Sequence, residues 1–301
     1  MNNIQKISLL RVAKERIKHS WMLFSLYLIV LIFAIILVEL FIKSYPIIHK
    51  NGIIETLLSN TWNPGNGKFG FLNFILSSLW VSLLALVFSV PMCLLTAIFF
   101  TQYLHKKTRN ILQVIIDILA GIPSVVYGLW GVLIIVPFTA SYVAPFFGQQ
   151  SVGYSIFSAA VVLSIMIIPV VLSILIELFR TIPDQMIESA YSLGANKWSV
   201  IKNVILRKTL PGIFASFALG LSRALGETMA VLMVVGNSYS TPHSVFDAAY
   251  PLPALIANNY GEMMSVPLYD SALMTAALIL LVIVLIFNVL SRLLVKKFNI
   301  L

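Results

Sequence analysis

Six continuous apolar stretches, each long enough to cross a lipid bilayer, decide most of what this chain can fold into. They run over residues 21–42, 72–100, 111–138, 155–178, 212–235 and 272–290. A bilayer core takes about 20 apolar residues per helix. None of the six alternates apolar with polar residues as a barrel strand does. The expectation is an all-α integral membrane protein with about six transmembrane helices. Only 10% of the 301 residues are charged, against about 25% in soluble domains, too few to cover a surface facing water. The first stretch is about twice as long as a signal-peptide core and precedes no A-x-A-like cleavage site, so it is expected to stay as a signal anchor. No spacer divides the chain, so residues 1–20 form a tail and 21–301 one membrane domain.

The net charge is +9, and its placement gives an orientation. Lys6, Arg11, Lys14, Arg16 and Lys18 precede the first stretch, and Lys106, Lys107 and Arg109 lie between the second and third. Arg180, Lys197, Lys202, Arg207 and Lys208 lie between the fourth and fifth, and Arg292, Lys296 and Lys297 follow the sixth. Sixteen of the twenty basic residues thus fall on one side of a six-span topology. The positive-inside rule puts that side, the residue 1–20 tail and both termini in the cytoplasm, in a multi-pass protein of the cell (inner) membrane. Basic charges that flank spans are lipid anchors rather than one cluster, so they do not mark a nucleic-acid partner. The single cysteine, Cys93, excludes an internal disulfide, and the four scattered histidines have no metal-ligand spacing.

The connection over residues 180–210 differs from the other loops. Thr181 with Asp184 has the spacing of a capping box, and Gly194 is placed to end the helix that follows. Asn196 can cap a second helix with Trp198, Ile201 and Ile205 on one face, and Pro211 marks the next span. The apolar ridge, with Ile187, Ala190 and Tyr191 on the first helix, is more than this loop can bury. It fits either an amphipathic pair lying on the membrane or a docking element for a soluble partner.

The fifth stretch carries the charges of most interest, Arg223 and Glu227. An arginine at the centre of a span costs about 2.5–3.5 kcal/mol on insertion scales. Four-residue spacing on one helix face lets the two neutralise each other. The pair is either a static lock between helices or a site where Arg223 meets an anion, with Glu227 as its resting counter-ion. Guanidinium suits phosphate because its planar fork donates two parallel hydrogen bonds. Gly212, Ser216, Gly220, Ala224 and Thr228, each four apart, form a small-residue row for close packing against another helix or subunit. In the third stretch Pro123 is expected to kink the helix, beside a second small row of Ala120, Ser124 and Gly128. Glu39, Glu177 and Asp117 lie toward span ends, which leaves no set of groups suited to a membrane protease or lipid transferase.

Glu188-Ser-Ala-Tyr-Ser-Leu-Gly194-Ala195, followed by Ile201 and Leu210-Pro211, resembles the coupling loop of ABC-importer permeases, with Ser189 where alanine is usual. The resemblance implies a type I importer permease (MetI-like) fold. It also implies that Glu188, Ala190, Gly194 and Ala195 couple the chain to an ATPase. No G-x-x-x-x-G-K-[ST] pattern occurs, so ATP hydrolysis is expected on another subunit and this chain is not an enzyme. Arg223-Ala-Leu-Gly-Glu227-Thr-Met-Ala-Val, with Gly236-Asn237 after it, and Gly121-Ile-Pro-Ser124-Val-Val-Tyr127-Gly128 are similar to the permeases of the phosphate importer, the Pst system, closest to its PstC subunits. That resemblance implies inorganic phosphate as cargo, with Arg223, Glu227 and Ser124 on its path. A permease for molybdate, sulfate or phosphonate is the alternative. The implied partners are a homodimer of ATP-binding subunits, a PstA-like second permease, an extracytoplasmic phosphate-binding protein and membrane lipid. No cofactor is implied.

Overall fold

A computed structural model describes the backbone of residues 3–261, 266 and 268–298. Side chains are described at Glu15 and from Lys18 onward within those bounds, save positions 294, 297 and 298. The side chains of Lys6, Arg11, Lys14, Arg16 and Lys297, which the charge argument uses, lie outside the described residues. Among the described residues the chain is helical apart from one small hairpin and an isolated bridge between Gly236 and Ala249. In order come α1 (Asn3–Asn51), α2 (Ile53–Leu58), the hairpin β1 (Trp62–Asn63) and β2 (Lys68–Phe69), and α3 (Leu72–Gln102). Then follow α4 (Lys106–Ala120), α5 (Ser124–Phe146), α6 (Ile156–Arg180), α7 (Asp184–Ser192) and α8 (Lys197–Gly226). The last three are α9 (Met229–Val234), α10 (Leu252–Asn259) and α11 (Tyr269–Phe298). Among the described residues six helices are long and apolar enough to cross a membrane: Lys18–Asn51 of α1, then α3, α5, α6, α8 and Tyr269–Leu293 of α11.

The bundle is built around α6. Leu163, Ile167, Leu175 and Ile176 are fully buried, and α3, α8, α9 and α4 pack against it. Lipid is as apolar as leucine, so this helix is held by close packing rather than by exclusion of water. Small residues permit the approach. A Cβ at Gly220 would sit 2.8 Å from Val171 Cγ2, and one at Gly212 would sit 2.5 Å from Leu178 Cδ1. Ser216 and Ala224 of the same row are buried. At Gly212 and Gly220 the row therefore packs against α6 of its own chain, while Thr228 lies beyond the end of α8. Cys93 is buried with its thiol toward the Ile168 carbonyl, 3.7 Å away. By contrast α1 is exposed along its apolar length and joins the bundle mainly through α11.

Three boundaries differ from the sequence expectation. The stretch 111–138 is not one kinked span, because the chain leaves the helix at residues 121–123. Pro123 lacks an N–H and disfavours helical geometry at Ile122. Amphipathic α4 is thus separate from the crossing helix α5, which runs on to Phe146 through wide π-turns at Gly131–Ile135 and Thr139–Val143, each shortly before a proline. Pro211 does not begin a helix either. It lies inside α8, which is continuous from the loop, with a π-turn at Ile201–Leu206 ahead of the proline. Finally, 212–235 is interrupted at Glu227.

The connections over residues 52–71 and 236–251 are partly folded. Trp62 of the hairpin stands edge-on to Phe69, Phe71, Phe74 and Tyr269 at centroid distances of 4.9–6.2 Å, and stacks on Tyr239. Asn73 donates to the carbonyls of Asn60 and Tyr239 and accepts from Thr241. Asn259 donates to Tyr250 and accepts from Tyr269. Burial, with Tyr250 beside it, pushes the Tyr239 phenol above its ordinary range. These contacts join residues far apart in sequence into one cap over α3 and α11.

Candidate functional site

The two halves of the candidate site lie at opposite reaches of α8. At its start stands the loop. Asp184 opens α7, but Pro183 rather than Thr181 is the N-cap, because the Thr181 hydroxyl donates back to Leu178 O at 2.7 Å. The expected capping box is therefore absent. Gly194 does end the helix. Its φ of +81° lets Gly194 N–H reach Tyr191 O and Ala195 N–H reach Ala190 O, the paired bonds of a Schellman turn. Asn196 then caps α8 as expected, accepting from Ser199 N–H at 2.8 Å. Ile201 and Ile205 are buried, but Trp198 points outward.

Glu188 is exposed, and Ala190 and Ala195 are half-buried. Ile187 packs on the core of the bundle, so the outward apolar set is Met186, Tyr191, Leu193 and Trp198, with Leu193 88% exposed. Sequence reasoning missed Leu193; its only signal was its place before the helix-ending glycine. A Cβ at Gly194 would meet nothing within 4 Å, so that face is open. Lys197 Nζ sits 3.9 Å over the Tyr103 ring, which puts the loop at the same end of the bundle as the basic turn into α4. There Arg109 donates to the carbonyls of Thr101 and Leu104, closing the C-terminus of α3.

At the far end of α8, Arg223 occupies the last turn and Gly226 ends the helix. Glu227 is extended (φ −75°, ψ 124°), and α9 starts two residues later. The break carries the corrected relation between the two charges. The ion pairs within 4 Å among the described residues are Glu39–Lys43 and Glu177–Arg180, so Arg223 and Glu227 do not form the expected pair. Glu227 is half-buried and its Oε1 accepts from Ala230 N–H at 3.4 Å, while Arg223 lies on the exposed face of α8.

The structure brings the third span to the same place. A Cβ at Gly128 would lie 3.1 Å from Ala230 Cα and 2.7 Å from Met233 Sδ, so α5 and α9 meet backbone to backbone. Ser124 begins α5, half-buried, and its hydroxyl has no hydrogen bond among the described residues. Tyr127, one turn on, donates to Leu119 O at 2.8 Å across the Pro123 break and lies within electrostatic reach of Arg223. Tyr127 stood within the stretch that carried the family resemblance, and its proximity to Arg223 was not legible there. Among the described residues no three His, Cys, Asp or Glu side chains group as metal ligands.

The helix broken at Glu227 beside Arg223 is thus joined by one continuous rod, α8, to the exposed loop at the other end. The chain matches solved permease folds accordingly. A chain of the MetNI methionine ABC transporter matches with a TM-score of 0.59 at 18% identity, over 76% of this chain and 95% of that one. A chain of a bacterial alginate ABC transporter, in complex with its pentasaccharide-bound periplasmic protein, matches with a TM-score of 0.59 at 22% identity, over 94% and 98%. The fold is that of the type I ABC-importer permeases.

Residues 89–300 match the binding-protein-dependent transport system inner membrane component family. The phosphate transport system permease protein PstC of Haemophilus influenzae is 36% identical over 93% of this chain and 92% of its own length. Its counterpart in Xylella fastidiosa is 36% identical over 82% and 80%. The chain belongs to this permease family, in its PstC-like branch, and is a multi-pass inner-membrane protein.

Proposed function

We propose that this chain is the PstC-like half of the pathway by which an ABC importer brings inorganic phosphate into the cell. One observation carries the proposal: Arg223 is exposed on α8 in the middle of its crossing. The first turns of α8 hold Lys197, Lys202, Arg207 and Lys208, which belong at the aqueous side, and on that reading the apolar crossing runs from about Pro211 through α9. A charge facing lipid there would cost about 2.5–3.5 kcal/mol on insertion scales. The face that carries Arg223 therefore abuts a second permease and a water-filled path. Relatives named as phosphate permeases supply the cargo, and the guanidinium fork supplies the chemistry.

Arg223, Glu227 and Ser124 line that path. The second permease is PstA-like. A homodimer of ATPase subunits docks on the exposed loop through Glu188, Ala190, Gly194 and Ala195, with Leu193 and Trp198 as apolar anchors. An extracytoplasmic phosphate-binding protein delivers substrate to the folded outer cap. Both termini face the cytoplasm, as the basic loops require. ATP hydrolysis takes place on the docked subunits, and this chain catalyses no reaction of its own.

Arg223→Gln tests the reading in cells that depend on this importer. Uptake of labelled phosphate should fall to background while the complex still assembles. Uptake at the normal rate would remove Arg223 from the pathway. Displacement of labelled phosphate by excess sulfate or molybdate would reassign the cargo.

A further inference from the structure

The helix break separates two charges that a continuous helix would have held together, and it assigns them to different bodies. Arg223 belongs to α8, a single helix from the Asn196 cap beside the coupling loop to Gly226. Glu227 belongs with α9. That short helix is fixed to the outer half of the bundle: Ala230 and Val234 are fully buried, Gly128 and Gly131 of α5 lie against it, and Val234 O accepts from Ser155 N–H. At the junction Gly226 has open space around its α-carbon and Glu227 is extended. Helix α8 meets α6 at Gly212 and Gly220, where no side chain protrudes, a contact that suits small sliding displacements. A push on the coupling loop therefore moves Arg223 relative to Glu227.

From this we infer that Glu227 is the group that displaces the substrate from Arg223. In the state described here the two are unpaired, and the guanidinium is open to an anion. When α8 shifts, the Glu227 carboxylate swings about the break and takes the hydrogen bonds of the guanidinium. The anion loses its main contact and leaves. A carboxylate in an anion pathway is otherwise a liability, since it repels the cargo. Held away by the Ala230 N–H during loading and brought in during release, it gives the step a direction. The inference rests on Arg223 being the phosphate contact.

The experiment uses the intact importer with its binding protein, in nanodiscs, immobilised through the ATPase and loaded with radiolabelled inorganic phosphate. After one round of ATP hydrolysis and washing, wild type should be empty and Glu227→Gln should retain label. Its uptake rate should fall about ten- to hundredfold, the equivalent of one charge-assisted hydrogen bond, with the half-saturating phosphate concentration falling in parallel. Glu227→Asp should restore release. Three results would each overturn the inference: wild-type release by Glu227→Gln, lost uptake without retained label, or failure of that variant to assemble, which would make Glu227 a structural residue. Arg223→Gln run alongside separates the two levels, because normal uptake in that variant refutes the reading of Arg223 whatever Glu227→Gln does.

Discussion

Gly128→Val should uncouple the position of α9 from that of α5, and its size can be worked from the contact. A Cβ at residue 128 would lie 3.1 Å from Ala230 Cα and 2.7 Å from Met233 Sδ. The methionine end can swing aside, but the α-carbon cannot, so alanine alone requires a shift of a few tenths of an ångström. Alanine also gains about 0.5–1 kcal/mol over glycine in a helix, so Gly128→Ala should be close to neutral. Valine adds two methyl groups that the Ala230 backbone must accommodate, and overpacking of that kind costs about 1–3 kcal/mol. The measurements are thermal unfolding of the purified complex and phosphate uptake in cells. Gly128→Val should melt earlier than Gly128→Ala and transport more slowly, because moving α9 moves Glu227 with it. Gly226→Ala is the control for stability, since a Cβ there meets nothing within 4 Å. A valine variant that melts and transports like wild type would refute the claim that the α5–α9 approach sets the geometry of the break.

Two further perturbations test other parts of the molecule. Leu193→Glu changes a side chain that is 88% exposed, so folding should change by less than about 0.5 kcal/mol; co-purification of the ATPase and phosphate-dependent ATP hydrolysis should be lost, and unaltered co-purification would remove Leu193 from the docking face. Trp62→Ala removes the ring that five other aromatic side chains meet, at about 2–3 kcal/mol for a half-buried tryptophan, and should be read by protease sensitivity of the outer loops.

The parts of this fold that were legible in the sequence are those where one residue type has one physical consequence. Apolar length gave the spans. Gly194 was placed to end a helix and Asn196 was able to begin one, and both do so. The row of small residues on α8 was visible at four-residue spacing, although its partner, α6, was not. What stayed hidden depended on contacts distant in the chain. Pro123 announced a disturbance, but whether the helix bends or ends depends on what the freed segment packs against, and α4 packs on α6. The break at Glu227 has no proline to mark it; Gly226 alone is tolerated in many helices, and the separate course of α9 goes with its packing against Gly128 and Gly131 and its bond from Ser155 N–H. The Thr181–Asp184 spacing matched a capping box, yet Pro183 fixes the entry to α7, and the threonine hydroxyl serves the preceding helix instead. The outer cap joins Asn73 to Tyr239 and Thr241, contacts that no local periodicity can predict.

The loop over residues 180–210 is held in shape by the turn at Gly194 and the cap at Asn196, and its outward side chains are Met186, Tyr191, Leu193 and Trp198. With the docking role proposed above, a permease synthesised in excess of its ATPase would carry a rigid, uncovered apolar patch where that subunit binds. Surfaces of that kind are what proteases and chaperones recognise on orphan subunits. The abundance of this chain should therefore track that of its ATPase, with stoichiometry enforced by disposal of unassembled copies rather than by matched synthesis.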